Sequence, residues 1–144
     1  MKNKELETYH HPDLTLMAEE GASLSSGTLR LYALPCSTGQ KPNAAIGCVD
    51  LYSYDPLNCR AAVGIMVASE HRRRGYALAM LHHLQELATS NYNLHTLYAD
   101  IAAINTASLA LFHKAGYTEC GRFREWLELD SHFIDNIRMQ LILK

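Results

Sequence analysis

Three consecutive arginines, Arg72 to Arg74, stand directly before Gly75 in the stretch "SEHRRRGYALAM". The whole chain has a formal net charge of only −2, so this positive charge is local. The apolar residues that follow have the spacing of an amphipathic helix over 75–90. The first N–H groups of a helix have no partner within it, and the helix dipole adds partial positive charge there. Arginines crowded against that end would repel it, so a bound anion is the chemistry that this cluster favours.

A phosphate group is the anion that helix starts most commonly bind. Gly75 has no Cβ, so the backbone can approach a ligand closely, and three arginines suit a diphosphate better than a single phosphate. A solvated basic turn and a short nucleic-acid patch both stay open as alternatives. The sequence lacks the basic stripe and interleaved aromatic residues that nucleic-acid surfaces carry.

Composition indicates one globular domain. The 144 residues are 48% hydrophobic and 19% charged, which is enough to bury one core. No apolar run reaches the roughly 18 residues that a membrane helix needs. The N-terminal "MKNKELETYHHPD" lacks the apolar core of a signal peptide, so a cytoplasmic protein is expected. No C-x-x-C pair occurs, which predicts reduced, packed thiols and no metal site; the cysteines are Cys36, Cys48, Cys59 and Cys120.

Alternating and then helical hydrophobic patterns predict an α/β (α+β) domain. An antiparallel meander of three strands is predicted over 28–34, 44–54 and 59–68. The third is apolar nearly throughout and should be central. A helix, a strand and a second helix are then predicted over 75–90, 94–101 and 105–116, followed by two long antiparallel strands over 117–129 and 132–143. The strands before and after the first helix should be parallel.

The first 27 residues are polar and weakly patterned, with a short helix suggested around "DLTLMAEE". They are interpreted as a short, part-helical N-terminal leader, 1–27, ahead of a main domain over 28–144.

Two motifs resemble those of one enzyme superfamily. "RRRGYA" is similar to the Arg/Gln-x-x-Gly-x-Gly/Ala signature of the GNAT superfamily of acyl-CoA-dependent N-acetyltransferases. "NTASLALFHKAGY" resembles the superfamily's second signature, Asn-x-x-Ser-x-x-Leu-Tyr-x-Lys-x-Gly-Phe/Tyr. The resemblance covers residues 28–143, and the C-terminal "GRFREWLELDSHFIDNIRMQLIL" is similar to the branch of ribosomal-protein and spermidine acetyltransferases. It implies a GNAT-like mixed sheet, mostly antiparallel, with a central splayed parallel pair, flanking helices and shortened N-terminal elements.

The resemblance also implies acetyl-CoA as cosubstrate. Backbone amides of the loop and first helical turn would hold the pyrophosphate, the preceding strand would pair with the pantetheine arm, and an amide at Val67 or its neighbour would polarise the thioester carbonyl. The implied CoA-binding residues are Ile65, Met66, Val67, Arg72, Arg73, Arg74, Gly75, Tyr76, Ala77, Asn105 and Ser108. For Asn105 a plain helix cap is the alternative role.

The usual catalytic groups of the family are not found at their positions, because the chain departs from the family pattern twice. Phe112 stands where the family often has a tyrosine acid, and Ala62 stands where related sequences often have a glutamate. Candidate replacements are His113, Asp100, Glu125 and Asp135, although residues of these types are more often structural or solvated.

The implied function is direct transfer of an acetyl group from acetyl-CoA to a primary amine. The acceptor would be a protein N-terminus, a polyamine or another small amine. The alternative is a CoA-binding module with weak or no transferase activity, and a nucleic-acid-binding domain is a third possibility. The long C-terminal strands favour a homodimer, and neither a nucleic acid nor a membrane is expected as a partner.

Overall fold

A computed structural model describes residues 8–10, 14–35, 45–72 and 75–143, which form one sheet with two α-helices. The strands are β1 (Thr8–His10), β2 (Leu14–Ala18), β3 (Leu29–Pro35), β4 (Gly47–Asp55), β5 (Arg60–Val67), β6 (Thr96–Ala102), β7 (Thr118–Leu129) and β8 (His132–Ile142). The helices are α1 (Tyr76–Ser90) and α2 (Thr106–Lys114), and short 3-10 turns lie at Leu24–Ser26 and Ser69–His71. Within these residues no helix is both long and apolar enough to span a bilayer.

The eight strands lie in the order β1-β2-β3-β4-β5-β6-β8-β7. Every neighbouring pair is antiparallel except β5 and β6, which are parallel. Helix α1 connects those two strands, because parallel neighbours need a crossover. The predicted mixed, mostly antiparallel sheet is therefore confirmed.

The hydrophobic core lies between one face of the sheet and the helices. Alternate strand residues, such as Leu31, Val49 and Leu97, are almost completely buried there. Helix α1 supplies Leu81 and Leu84 to the same cluster, at the spacing that its amphipathic pattern predicts.

The opposite face of the sheet is polar and aromatic. We call it the open face, because no helix among the described residues packs on it. Cross-strand ion pairs run over it: Arg30 Nε lies 2.8 Å from Asp50 Oδ1, and Arg138 Nε lies 2.8 Å from Asp100 Oδ1. The open face includes Arg30, Tyr32, Asp50, Tyr52, Tyr98, Asp100 and Arg138.

The short helix suggested around "DLTLMAEE" is wrong. Leu14–Ala18 is strand β2, which pairs with β3 from Leu14↔Pro35 to Ala18↔Leu31. Every second side chain, at Leu14, Leu16 and Ala18, is buried, and this period of two outweighs the helical propensity of so short a segment. Part of the predicted leader therefore belongs to the same sheet as the main domain.

The parallel pair parts halfway along its length, as the splayed pair predicted from the resemblance requires. β5 and β6 pair only at Arg60↔Thr96, Ala61↔Leu97 and Ala62↔Tyr98. Beyond that point β5 runs on to Val67 without β6 beside it. The β5 edge that faces this gap therefore has backbone groups that no strand satisfies.

Candidate functional site

The start of helix α1 is open in the way that an anion site requires. Gly75 is the N-cap residue, with φ 80° in the left-handed region, and no side chain caps the helix. A Cβ at Gly75 would meet nothing within 4 Å, so the space above the first turn is free. The N–H groups of Tyr76, Ala77 and Leu78 consequently face this space without helical partners.

A cavity of about 550 Å³ lies at this helix start, and we call it the helix-start cavity. Helix α2 forms its other wall. Its described charged groups are Arg72 and Lys114, and Arg72 Nε donates to the carbonyl oxygen of Val67 at 3.0 Å. This bond holds the guanidinium against the end of β5. Arg73 and Arg74 lie outside the described residues. The full lining is Val67, His71, Arg72, Gly75, Tyr76, Ala77, Leu78, Ala107, Ala110, Leu111 and Lys114.

A second cavity, of about 230 Å³, occupies the gap between the parted strands, and we call it the gap cavity. It reaches from the start of α2 to the open face. Asn105 caps α2, because its Oδ1 accepts from the Ser108 N–H at 3.2 Å. The lining residues are Tyr52, Val63, Gly64, Ile65, Ala99, Asp100, Ile101, Ala102, Asn105, Ser108 and Phe112.

Backbone direction decides which β5 groups face the gap. The Cys59 carbonyl accepts from His95 N–H on the β6 side at 2.7 Å, and the Ala68 N–H donates to Ile46 on the β4 side at 2.8 Å. Backbone direction alternates along a strand. Ile65 and Val67 therefore direct their N–H groups into the gap, whereas Met66 directs its backbone toward β4 and exposes its side chain.

Arginine side chains form ion pairs with two of the three carboxylate candidates, Asp100 and Asp135. Asp100 accepts two hydrogen bonds from Arg138 at 2.8 and 2.9 Å and one from Asn136 at 3.2 Å. The Arg138 hydrogen bond, the largest cause, lowers the pKa of Asp100. Asp135 accepts from the Glu125 N–H, its largest pKa-lowering contact, and from Arg122. A carboxyl whose pKa is lowered is a weak base, so these contacts favour a structural role.

Of the other positions considered for catalysis, one lies in the gap cavity and two lie on the surface. Phe112 is 3% exposed and lines the gap cavity with a ring that has no proton to give. His113 and Glu125 are exposed and line neither cavity. Among the described residues, no group of three or more His, Cys, Asp or Glu side chains is arranged to hold a metal ion.

Three cavity-lining residues with polar side chains are absent from the set that the sequence predicted. Lys114 lines the helix-start cavity and belongs to the second motif, so its position in "FHKAGY" was the available signal. His71 lines the same cavity, with a buried Nδ1 that has no hydrogen-bond partner among the described residues. Tyr52 lines the gap cavity from β4. The alternation of polar and apolar residues in a strand does not indicate which of them borders a cavity.

The sheet order, the parted parallel strands and the glycine-led helix start together define the class of fold that the sequence predicted. The Acetyltransferase (GNAT) domain family matches residues 10–118. The chain therefore belongs to the GNAT acetyltransferase family, as its two motifs indicated.

Individual relatives are more distant. A spermidine N(1)-acetyltransferase of Vibrio cholerae is 26% identical over 97 residues, which is 67% of this chain and 56% of that protein. The chain thus spans little more than half the length of this curated relative.

Solved structures support the same fold. A crystal structure of spermidine N-acetyltransferase from Vibrio cholerae with CoA and spermine has a TM-score of 0.75 at 22% identity, covering 83% of this chain and 68% of that one. A dodecameric structure of the Vibrio cholerae enzyme in an intermediate state has a TM-score of 0.73 at 22% identity, covering 81% and 66%.

Proposed function

We propose that this chain is an N-acetyltransferase that transfers an acetyl group from acetyl-CoA to a primary amine. The observation that carries the proposal is the parting of β5 and β6 beside an uncapped helix start. An open strand edge and an open helix end offer unsatisfied N–H groups to one extended ligand. Acetyl-CoA, which has a diphosphate and an amide-bearing arm, has the chemistry to satisfy both.

The residues at the helix start fit the diphosphate. The left-handed Gly75 exposes the first-turn N–H groups of α1, including that of Ala77, and the helix dipole favours an anion there. Arg72 and Lys114 add positive charge to the same cavity. Arg73 and Arg74 are proposed to add to the positive electrostatic potential around the diphosphate.

The gap residues fit the pantetheine arm. The Ile65 and Val67 N–H groups would pair with its amides, as a neighbouring strand would, and one of them would polarise the thioester carbonyl. Asn105 and Ser108 border the same space from α2. The Val67 carbonyl is already bonded to Arg72, so the N–H of Val67, and not its carbonyl, is the group available to a ligand.

The acceptor amine would enter from the open face, since the gap cavity reaches that face at Tyr52 and Asp100. When bound, acetyl-CoA supplies an activated acyl group. The chain must then hold the neutral amine in line with the acyl carbon. It must also accept the proton that leaves the amine nitrogen. Protein N-termini, polyamines and other small amines remain the proposed acceptor classes, and a cytoplasmic location is proposed with them.

Ligand-induced stabilisation tests the cofactor. Acetyl-CoA should raise the melting temperature of the wild type, because a ligand that binds only the native state stabilises it. Gly75→Glu should abolish that shift by placing a carboxylate at the anion site. Gly21→Glu is the matched control, since Gly21 also has a positive φ and free space at its Cβ. Equal shifts in both variants would contradict the proposed diphosphate site.

A CoA-binding module without transferase activity is the alternative, and Phe112 and Ala62 are the observations that favour it. Neither side chain can exchange a proton. Release of free thiol should be measured with acetyl-CoA across a panel of primary amines. Binding of acetyl-CoA without turnover on any amine would support the alternative.

Self-association through the β7–β8 hairpin is also proposed. β7 is an edge strand, and exposed edges tend to pair with other chains. Large apolar side chains are exposed along this hairpin, namely Phe123, Trp126, Leu127, Leu129 and Phe133. Sedimentation should give a dimer or larger for the wild type and a monomer for Trp126→Asp. Leu57→Asp, at a turn residue that is 92% exposed, is the control. A monomeric wild type at all concentrations would overturn the proposal.

A further inference from the structure

The gap cavity contains few groups that can exchange a proton. Its polar side chains are those of Tyr52, Asp100, Asn105 and Ser108. Arg138 holds Asp100 as a bidentate ion pair, and the Asn105 side-chain oxygen is used as a helix cap. The hydroxyls of Tyr52 and Ser108 are therefore the available proton carriers.

Tyr52 lies beside the point where the two parallel strands separate. It pairs with Ala62 across β4 and β5, and Ala62 is the last β5 residue that pairs with β6. Residues directly opposite in an antiparallel pair share a face, so the tyrosine ring lies on the same face as Ala62 and Gly64. Both are small, and a Cβ on Gly64 would lie 3.5 Å from Tyr52 Cε1. The ring therefore extends over β5 toward the gap without a side chain in its way.

A β-bulge follows Tyr52 directly. Between the pairs Tyr52↔Ala62 and Asp55↔Arg60, β4 has two residues where β5 has one, and Ser53 adopts φ 51°. Bulges change the direction of neighbouring side chains and are frequent beside active sites. The bulge is thus a second feature, independent of the cavity, that marks this position.

The surroundings of Tyr52 favour its protonated form, and its hydroxyl is available to a ligand. Burial is the largest cause that raises the pKa of Tyr52, and the charge of Asp100 raises it further. The Tyr52 hydroxyl makes no hydrogen bond within the described ranges of the chain. An unperturbed phenol has a pKa near 10 and a thiol one of about 8.5. Even with its pKa raised, the Tyr52 phenol is closer in acidity to a departing thiol than the Ser108 hydroxyl is.

We propose that Tyr52 is the catalytic proton carrier of the acetyl transfer, a role that rests on the proposed function. The amine nitrogen forms a bond to the acyl carbon, and the bond from that carbon to sulfur breaks. The Tyr52 phenol gives its proton to the sulfur, and the resulting phenolate takes the proton that leaves the nitrogen. The products are an amide and a free thiol, and Tyr52 returns to its starting state without a separate base.

Two measurements test this role with the full chain. Tyr52→Phe should lower kcat about 100-fold, which is within the usual range for loss of an acid–base group, with little change in KM for acetyl-CoA. The second readout does not need turnover. At about pH 9, where much of a thiol is ionised, the wild type should bind CoA roughly 3–10-fold more tightly than desulfo-CoA, as one hydrogen bond to sulfur allows. Tyr52→Phe should lose that preference while its affinity for desulfo-CoA stays the same.

Tyr98→Phe is the matched control, because Tyr98 also lies on the open face but its ring packs under Arg138 at 4.4 Å and lines neither cavity. Tyr98→Phe should keep both the wild-type kcat and the preference for CoA over desulfo-CoA. If Tyr52→Phe keeps them too, or if Ser108→Ala loses them instead, the role of Tyr52 is overturned. A wild type that prefers CoA through Tyr52 but acetylates no amine would refute the transferase function while leaving the contact between Tyr52 and sulfur in place.

Discussion

Tyr117 is buried with an unsatisfied hydroxyl, and removing that hydroxyl should stabilise the protein. The residue is 1% exposed, its ring centroid lies 4.9 Å from that of Phe112, and its hydroxyl has no hydrogen-bond partner in the part of the chain that the structure describes. An unsatisfied buried hydroxyl costs about 1–3 kcal/mol, while the space left by one oxygen forfeits some dispersion contacts. For Tyr117→Phe the free energy of unfolding should therefore rise by about 1 kcal/mol, and the melting temperature by about 3 °C.

The pH dependence of the same variant gives a second, sharper test. Burial raises the pKa of Tyr117 well above its ordinary value. Above about pH 10 the unfolded chain loses this proton and the folded chain keeps it, so wild-type stability should fall by about 1.4 kcal/mol per pH unit from this group alone. The loss begins at the unfolded pKa and continues up to the raised folded pKa. Tyr117→Phe should not have this contribution.

Urea unfolding at about pH 7 and at several values above pH 10 measures both effects, since the unfolding free energy varies linearly with denaturant. Tyr32→Phe, on the half-buried open face, controls for the loss of a hydroxyl as such and should change stability little. A Tyr117→Phe protein that is less stable than the wild type at pH 7 would refute the reasoning. It would mean that the hydroxyl has a partner after all.

Three further substitutions have definite expected outcomes. Gly47→Ala should prevent folding or destabilise the protein by several kcal/mol, because its Cβ would overlap the Met66 carbonyl oxygen; circular dichroism and urea unfolding would reveal it, and a protein as stable as the wild type would contradict the packing of β4 on β5. Asn105→Ala should lower the free energy of unfolding by about 1 kcal/mol through loss of the α2 cap, and it should also weaken CoA binding. An unchanged affinity for CoA would show that Asn105 acts only as a helix cap. Asp100→Asn should lower the free energy of unfolding by about 1 kcal/mol at neutral pH, because the ion pair with Arg138 is about one-third exposed. That difference should shrink as pH falls below about 4, because the unfolded carboxyl then binds a proton while the folded one, whose pKa Arg138 lowers, stays ionised to lower pH. A difference that does not vary with pH would refute this account.

Local patterns in the sequence predict most of the fold, because the patterns and the tertiary structure agree. The helical period before Asn91 and the near-continuous apolar run of β5 both predict elements that the structure contains. The exception is β2, where five residues, Leu14–Ala18, are too few for periodicity to distinguish a strand from a helix. Pairing with β3 decides that segment, and pairing is not a local property.

The site was predictable only as far as its two motifs extend. Gly75 and Asn105 both follow from local signals, a helix start in one case and a cap in the other. The pairing of Asp100 with Arg138 links residues 38 positions apart, so the sequence shows only a free carboxylate. Tyr52 is similar: its importance comes from a bulge, from small residues on the next strand and from a gap beyond it, and none of these is visible at its own position.

Hydrogen exchange with and without CoA tests whether one ligand spans the open edge of β5 and the start of α1. CoA should slow exchange at the amides of Ile65, Val67, Ala77 and Leu78, which have no backbone acceptor in the free protein. The amides of β7, on the far edge of the sheet, should be unaffected. Protection confined to the hairpin or the open face, with none at these four amides, would show that the ligand does not lie along β5 and α1.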